Sequence, residues 1–570
     1  MTKDGQCDRI FEKIEKTIKG YHPSDNIEIL KKAYDYAYNA HKDQKRLSGE
    51  PFVVHPLYVA LILAGLNLDK ETIVAGLLHD VVEDTERSID DISKEFGEEV
   101  AFLVDGVTKI EDVIKKQKNR KIEASNIKKI IMATTKDIRV ILIKFADRLH
   151  NLRTLEYKSP ERQIAIAKNT LDIYAPIASE LGIYLIETQL EDLSLYYLNN
   201  EKYNEISKKI EDIKEKQKDF LHQLTLDLNK IVNNNLCDVE ISYKFKHIFS
   251  IYKKQVVRKE TLEEMYDLYS IKICTKDVSD CYRILGELHR NYKPIPWRIK
   301  DYIALPKRNM YQALHTTLIS KSGTPFEVQI KTFEMNKKAE YGIIADWKYS
   351  EDSRGKISEE SKRKKSESLK KKLEWQMDIN DDEEFLDSLK TELNPFDKKI
   401  YCFTPKGEGI ELPTDASVLD FAYAIHSKIG EKYSFSIVNG NIAPLRYLLK
   451  NGDCVKIVCK DDSEGPQPFW LELVKSQRAK KNITQYLKKK KIDLSLKERE
   501  IAINAIDRQG ILLEIVNVFT RYKKNIKKIS GNAEDGGDYN VTISVQIVDD
   551  RIIGILKKEI NKIEGIKSIL

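Results

Sequence analysis

The chain has 570 residues, a length that calls for about three to five domains. Hydrophobic residues make up 41% and charged residues 33%, which supplies several cores and excludes a wholly disordered chain. Lys plus Arg number 96 against 90 Asp plus Glu, a net charge of only +6, so this is no uniformly basic nucleic-acid coat and any polyanion site must come from local clusters. The seven cysteines are dispersed without a CxxC pair, which argues for a reducing cytosol and against a disulfide framework. The N-terminus lacks an apolar run of signal-peptide length, and no stretch nears the ~18–20 apolar residues that span a bilayer. A cytoplasmic protein without membrane contact is expected.

Residues 1 to about 200 read as helical. In NIEILKKAYDYAYNAH (26–41), Ile27, Leu30, Tyr34, Ala37 and His41 recur every three or four residues, the period of a one-sided helix. Similar periods run through 71–84, 138–152 and 161–198, and a Lys/Glu-rich helix follows at 201–220. From about 240 strand-like runs appear: LYSIKICT (268–275), DYIALP (301–306), HTTLIS (315–320) and PFEVQIKT (325–332). With helices between them they predict a mixed α/β domain. Residues 350–372 are almost free of apolar side chains and read as a charged linker or solvated helix. Strands return at 399–404 and 453–459 as a small β-rich module, a basic helix lies within 465–497, and 500–570 alternates strand, helix, strand, helix in βαβ fashion.

The sharpest local signal is GLLHDVVEDT (76–85). On one continuous helix His79 and Glu83 are i,i+4 neighbours, as are Asp80 and Asp84. Leu77, Leu78, Val81 and Val82 around them look like core, and packing alone gives no reason for such a polar set. A His-Asp pair offers a nitrogen and a carboxylate to a divalent cation. His55 in VVHP and Asp147 in KFADRLHNLRT are two further ligand types. This mixed N/O set suits manganese, iron or zinc better than a calcium cage. Glu83 and Asp84 are candidates to activate a water, and Arg46, Lys144, Arg148 and Arg153 could meet a phosphate substrate.

RLSGEPFVVHP, LLHDVVEDT and DRLHNLRT together resemble the HD-type hydrolase domain of the RelA/SpoT-homologue family, long enzymes that make and destroy the alarmones ppGpp and pppGpp. The resemblance implies a manganese-dependent removal of pyrophosphate from the 3′ position. It implies His55, His79, Asp80 and Asp147 as Mn²⁺ ligands, Glu83 and Asp84 as water-activating acids, and Arg46 and Asn151 as substrate contacts.

In KFKHIFSIYKK (244–254), Lys246, Ser250 and Lys254 are spaced i,i+4, a basic stripe with a hydroxyl suited to a triphosphate. Glu327 and Gln329 share one strand face, with Val328 on the other. With Asp267, Glu327 makes a carboxylate pair of the kind that holds magnesium on a nucleotide. Tyr311 in NMYQALHTTL can stack a base. These segments are similar to the family's α/β, nucleotidyltransferase-like synthetase, which transfers pyrophosphate from ATP to GTP or GDP. The similarity implies Asp267 and Glu327 as Mg²⁺ or catalytic carboxylates. It implies Lys244, Lys246, Ser250 and Lys254 for ATP, and Lys307, Asn309, Tyr311, His315 and Gln329 around the acceptor nucleotide. RIKD (298–301) matches the basic form of bifunctional members. The chain departs from the family pattern at Lys244 and Lys331, where Arg is usual, at Met310 for Gly, and at Asp346 for His.

YCFTPKGEGIELPTDASVLDFAYAIHSKIG (401–430) resembles the family's TGS module, with His426 at a position that meets the tRNA acceptor end. The C-terminal segment, with AIDRQGILLEI (505–515), resembles an α+β ACT module, which implies dimerisation or amino-acid sensing. Between them the family's usual long helical and cysteine-containing region is missing. The expected architecture is multidomain: an all-α HD-type hydrolase at 1–200, the synthetase at 201–349, a charged linker at 350–396, TGS at 397–461, a short basic connector at 462–498 and the ACT-like module at 499–570. The expected activity is bifunctional (p)ppGpp synthesis and hydrolysis, with weak tRNA or ribosome contact. Two alternatives stay open: a hydrolase with a weakened synthetase, and a tRNA- or ribosome-binding regulator with vestigial catalytic domains.

Overall fold

The computed structural model describes residues 5–21, 27–108, 120–233, 238–262, 264–307, 309, 311–345, 386, 390, 399–460, 463, 465–490, 497–522, 526–534, 538–547 and 551–570. Met310, Asp346 and the charged run at 350–372 lie outside them. The chain divides into two compact units, Met1–Phe396 and Asp397–Leu570.

The first unit opens with helices α1 (Gly5–Tyr21), α2 (Glu28–Ala40), α3 (Val54–Gly65), α4 (Lys70–Leu78), α5 (Val81–Asp84), α6 (Ile89–Phe96), α7 (Glu98–Val107), α8 (Arg120–Lys136), α9 (Arg139–Arg153), α10 (Pro160–Asn169), α11 (Ala175–Glu180) and α12 (Tyr184–Leu198). In α2 the expected stripe is the buried face: Leu30, Ala33, Tyr34 and Ala37. Helices α3 and α9 are buried along most of their length at the centre of the domain; α3 is largely apolar, whereas α9 also buries Arg139, Lys144, Asp147 and His150.

Two departures from regular helix matter. The expected continuous helix over 71–84 breaks between α4 and α5, with a turn at His79 and Asp80. The physical reason is side-chain competition: His79 Nδ1 lies 2.8 Å from the Gly76 carbonyl oxygen, a group that interior helix geometry would reserve for the backbone. Downstream, the helical run over 161–198 widens into a π-turn at Thr170–Tyr174 ahead of Pro176, whose missing N–H breaks the regular ladder. It breaks again at Gly182, where φ is +71°.

Helix α13 (Asn200–Asn233) leads into an α/β domain with α14 (Ile248–Arg258), α15 (Val278–Asn291) and α16 (Phe333–Tyr341). Its strands are β1 (Glu240–Phe245), β2 (Tyr269–Thr275), β3 (Lys293–Pro294), β4 (Lys300–Asp301), β5 (Leu314–Ile319) and β6 (Pro325–Thr332). The order is β1-β2-β6-β5-β3, with β4 also on β5. β2 and β6 run parallel and the other pairs antiparallel. The register sets His315 opposite Gln329 and Thr317 opposite Glu327. DYIALP does not form a full strand. Asp301 Oδ1 accepts the backbone N–H groups of Ile303 and Ala304 at 2.9 and 2.8 Å, which turns the chain after two paired residues.

In the second unit, β7 (Lys399–Phe403) pairs β8 (Gly409–Pro413), and β9 (Tyr433–Val438), β10 (Asn441–Ala443) and β11 (Val455–Cys459) form a sheet of order β10-β9-β11. Helices α17 (Val418–Ile425) and α18 (Ser427–Glu431) pack with them, followed by α19 (Trp470–Leu473) and α20 (Gln477–Lys489). The basic helix α20 is no free connector. Ala479, Ile483 and Leu487 bury into the core of the β-rich module, and the buried Asp420 accepts the Lys475 and Ser476 N–H groups at its start. The C-terminal module holds β12 (Lys497–Ile506), α21 (Ile511–Arg521), β13 (Ile526–Glu534), β14 (Asp538–Ile547), α22 (Arg551–Ile560) and β15 (Ile566–Ile569). Its sheet, β13-β14-β12-β15, is antiparallel throughout. The expected βαβ outline thus missed β13 and β15. Both are edge strands; β13 carries Lys527, Lys528 and Gly531, the kind of composition by which edges resist further pairing, and β15 is only four residues long.

Candidate functional site

Three helical elements converge on the first centre. α3 supplies His55 from its first turn, the α4–α5 break supplies His79 and Asp80, and α9 supplies Asp147. His55 Nε2 lies 3.4 Å from Asp80 Oδ2 and 3.2 Å from Asp147 Oδ1. His79 Nε2 lies 3.1 Å from Asp80 Oδ1 and 3.9 Å from Asp147 Oδ1. At the turn between α4 and α5, where His79 and Asp80 keep right-handed φ/ψ, Asp80 lies within reach of both imidazoles. His55, His79 and Asp80 offer ligand atoms within 4.8 Å of one another, and this group could bind a metal ion.

The fit is chemical as well as spatial. With Nδ1 at the Gly76 carbonyl, His79 turns its Nε2 toward the Asp80 carboxylate. That atom is buried and has no hydrogen-bond partner. A lone pair facing a carboxylate is unfavourable unless a cation lies between them. Asp147 is buried, accepts from Lys144 Nζ at 2.6 Å and Asn151 Nδ2 at 2.5 Å. Burial would raise its carboxyl, but the Lys144 ammonium and the imidazoles hold it well below the ordinary carboxylate range. Arg46 comes from a turn closed by Gly49 at φ +86° and reaches Thr154 Oγ1 at 3.0 Å. These groups wall a cavity of about 540 Å³, the size of a nucleotide-scale pocket. Arg46, Asp84, Lys144, Arg148 and Asn151 line it; Glu83 does not.

The second centre lies on one face of the α/β sheet. Lys254, on α14, donates to both oxygens of Asp267, and Lys246 Nζ lies 3.2 Å from Asp267 Oδ2. Burial acts to raise Asp267, but the two ammonium groups prevail and hold its carboxyl at about 2. The expected helical stripe is corrected here. Lys246 precedes α14 and Lys244 lies on β1, so Lys246 and Lys254 meet through tertiary convergence and not through i,i+4 spacing. Ser250 is half-buried on α14, while Lys244 Nζ sits 4.3 Å above the Tyr184 ring.

Beside them runs a hydrogen-bonded chain. Gln329 Nε2 donates to Glu327 Oε1 at 3.0 Å, and His315 Nδ1 lies 3.4 Å from the same oxygen. His315 Nε2 meets Tyr311 Oη at 2.8 Å. Burial would raise Glu327, yet His315 and Gln329 hold it below its ordinary value. The Tyr311 ring is flanked by Lys307 at 4.9 Å and Lys331 at 5.3 Å. Lys331 is buried, which pushes its ammonium down to about 8. Asn309 Oδ1 accepts the Tyr311 N–H at 3.3 Å, so it shapes this turn. In the second unit, exposed His426 caps α18, its Nδ1 accepting the Lys428 N–H at 3.1 Å.

Four family descriptions match in chain order. They are "HD domain" over residues 33–184, "Region found in RelA / SpoT proteins" over 243–354, "TGS domain" over 400–459 and "ACT domain" over 498–570. The chain is 40% identical over 487 residues to the bifunctional (p)ppGpp synthase/hydrolase SpoT of Escherichia coli, covering 85% of this chain and 68% of that one. This chain belongs to the RelA/SpoT family. A RelA/SpoT relative from Aquifex aeolicus, named guanosine-3′,5′-bis(diphosphate) 3′-pyrophosphohydrolase, is 37% identical over 92% of this chain and 74% of its own. A GTP pyrophosphokinase of Myxococcus xanthus is 43% identical over 87% of this chain, which spans only 65% of that relative's length.

Several residues of this RelA/SpoT chain join the two centres without having been legible beforehand. His150 contacts His55 at 2.8 Å and Arg46 at 3.3 Å. It sits at i+3 from Asp147, a spacing that places it on the same helix face. His41 and Gln44 pair at 2.7 Å, and Gln44 donates to the Asp84 carbonyl at 2.6 Å. Between the helical and α/β domains, His247 Nε2 meets Glu191 Oε2 at 2.7 Å. No local motif marks that contact, because its partners are 56 residues apart. Among the described residues no helix is long and apolar enough to cross a membrane.

Proposed function

We propose that this chain is a bifunctional alarmone enzyme. In this reading its α/β domain transfers pyrophosphate from ATP to the 3′-hydroxyl of GTP or GDP, and its helical domain hydrolyses (p)ppGpp to GTP or GDP plus pyrophosphate. The observation that carries the reading is the presence on one chain of two separate acid–base–cation constellations. One is the His55, His79, Asp80 and Asp147 set, the other the Asp267 and Glu327 face. Family membership supports assigning the first to hydrolysis and the second to synthesis.

In the hydrolase centre His55, His79, Asp80 and Asp147 would hold Mn²⁺, which supplies Lewis acidity toward the departing pyrophosphate. Arg46 and Arg148 bind phosphate oxygens, Asn151 contacts the substrate, and Asp84 on the cavity wall, with Glu83 next to it in the chain, serves as proton acceptor for the attacking water. In the synthetase centre Asp267 and Glu327 would hold Mg²⁺. Lys244, Lys246, Ser250 and Lys254 receive the ATP phosphates, and Glu327 draws the proton from the acceptor 3′-hydroxyl. Tyr311 takes the guanine, with Lys307, Asn309, His315 and Gln329 around the acceptor. His426 supports a weak tRNA contact through the TGS module, and the ACT module an amino-acid ligand or a second copy. The domain limits set out from the sequence belong to the same proposal.

One observation favours a weakened synthetase. Lys244 and Lys331, which stand where Arg is usual, both lie against tyrosine rings, and a lysine there cannot form the bidentate fork of arginine. Nucleotide chromatography separates the readings. The purified chain receives ATP plus GTP or GDP with Mg²⁺ in one run and ppGpp with Mn²⁺ in the other. Turnover in both supports bifunctionality, and turnover only in the second supports the hydrolase alone.

A further inference from the structure

We infer that His150 is a positioning residue that fixes the protonation pattern of the metal centre from the substrate side, a relay running from Arg46 through His150 to His55. The inference rests on the hydrolase reading of that centre.

Arg46 Nη1 lies 3.3 Å from His150 Nδ1, and a guanidinium can only donate. His150 Nδ1 must therefore be unprotonated. The same nitrogen lies 2.8 Å from His55 Nδ1. Since His150 accepts there, His55 Nδ1 must carry the proton and donate it. Neutral His55 is then left with an unprotonated Nε2, the atom that faces Asp80 and Asp147 at 3.4 and 3.2 Å. His79 reaches the same state by a different route, through the Gly76 carbonyl. Both imidazoles thus present lone pairs to one carboxylate-lined point, as ligation of a cation demands. A carbonyl fixes one and a second histidine the other.

His150 is itself held against rotation. It is buried, its ring stacks on Tyr58 with centroids 5.0 Å apart and planes 17° apart, and Thr154 beside it accepts from Arg46 Nη2. A side chain that moved Arg46 would thereby change the acceptor that orders His55. Metal ligation and the substrate-side arginine are linked through a single nitrogen.

The test is Mn²⁺ binding by calorimetry on the full chain. His150→Phe keeps the ring against Tyr58 and removes the acceptor; His150→Asn restores an acceptor oxygen near the Nδ1 position. His150→Phe should weaken Mn²⁺ binding by about 10–100-fold, the range for loss of a group that orients a metal ligand. His150→Asn should stay within about threefold of wild type on the same scale of effects. Wild-type affinity in His150→Phe overturns the relay, as does equal weakness in both variants, which would mark a packing role. A second measurement covers a His150→Phe that does not fold: ¹⁵N-histidine spectra of wild type and His150→Asn loaded with diamagnetic Zn²⁺. The ring signals lost on substitution should be those of unprotonated Nδ1 and protonated Nε2, and the opposite tautomer refutes the relay. A wild-type chain that takes up no Mn²⁺ overturns the metal reading and the relay with it, whereas normal uptake in His150→Phe removes only the relay.

Discussion

Replacing Glu191 by Gln tests the joint between the helical and α/β domains. Glu191 on α12 is buried against His247, which leads into α14. Glu187 lies one turn earlier, Asp192 receives the N–H groups of Ile248 and Phe249, and Lys253 faces the group from α14. Burial pushes Glu191 up to about 8, against the partial relief given by Lys253, and Glu187 up to about 7. Burial also lowers His247, so at neutral pH a protonated Glu191 shares its proton with a neutral imidazole. The sign follows directly. The unfolded chain releases this proton near 4.5 and the folded chain near 8, so stability falls as pH rises through that window and levels off above it. A shift of that size at 1.36 kcal/mol per unit sets a ceiling of about 5 kcal/mol. Proton sharing with His247 and relaxation of the joint reduce the expected loss to about 2 kcal/mol. The assay is the thermal midpoint of the full chain at pH 6 and pH 9. Wild type should lose about 2–4 °C more than Glu191→Gln across that interval, given the large unfolding entropy of a unit this size. An identical pH slope in the two proteins would show that Glu191 is already ionised at pH 6 and would refute the reasoning.

Three further outcomes are expected. Asp80→Ala removes a charged ligand from the first centre and should abolish Mn²⁺-dependent ppGpp hydrolysis while synthesis survives; hydrolysis that persists in the variant, or after thorough chelation, contradicts the metal assignment. Glu327→Gln keeps shape and removes charge, so synthesis should fall by about 10²-fold or more, the range for a lost proton acceptor, with hydrolysis spared; near-normal synthesis contradicts that role. Ribosomes carrying deacylated tRNA should stimulate synthesis less than about tenfold at near-physiological salt, because each phosphate contact that a longer region between the TGS and ACT modules would make is lost with its salt-dependent affinity. A larger stimulation that disappears in His426→Ala would show that the TGS module suffices.

The sequence by itself determined the four kinds of module in their order, the helical face of α2, the alternation of Glu327 and Gln329, and the imidazole and carboxylate chemistry at His55, His79, Asp80 and Asp147. These are properties of local period and residue chemistry, which neighbours along the chain settle. Only the tertiary structure decided how those residues face one another. The His79 side chain takes the Gly76 carbonyl where the spacing predicts continuous helix, and α3 and α9 bring His55 and Asp147 to the Asp80 carboxylate from elsewhere in the chain. Lys246 reaches Asp267 from outside α14, where a helical stripe was expected. Asp301 ends a strand that its composition favours. His150 and the Glu191–His247 contact carry no motif at all, because each gains its meaning from a partner tens of residues away. Burial then sets their protonation, and burial is a property of the packed chain and not of the residue.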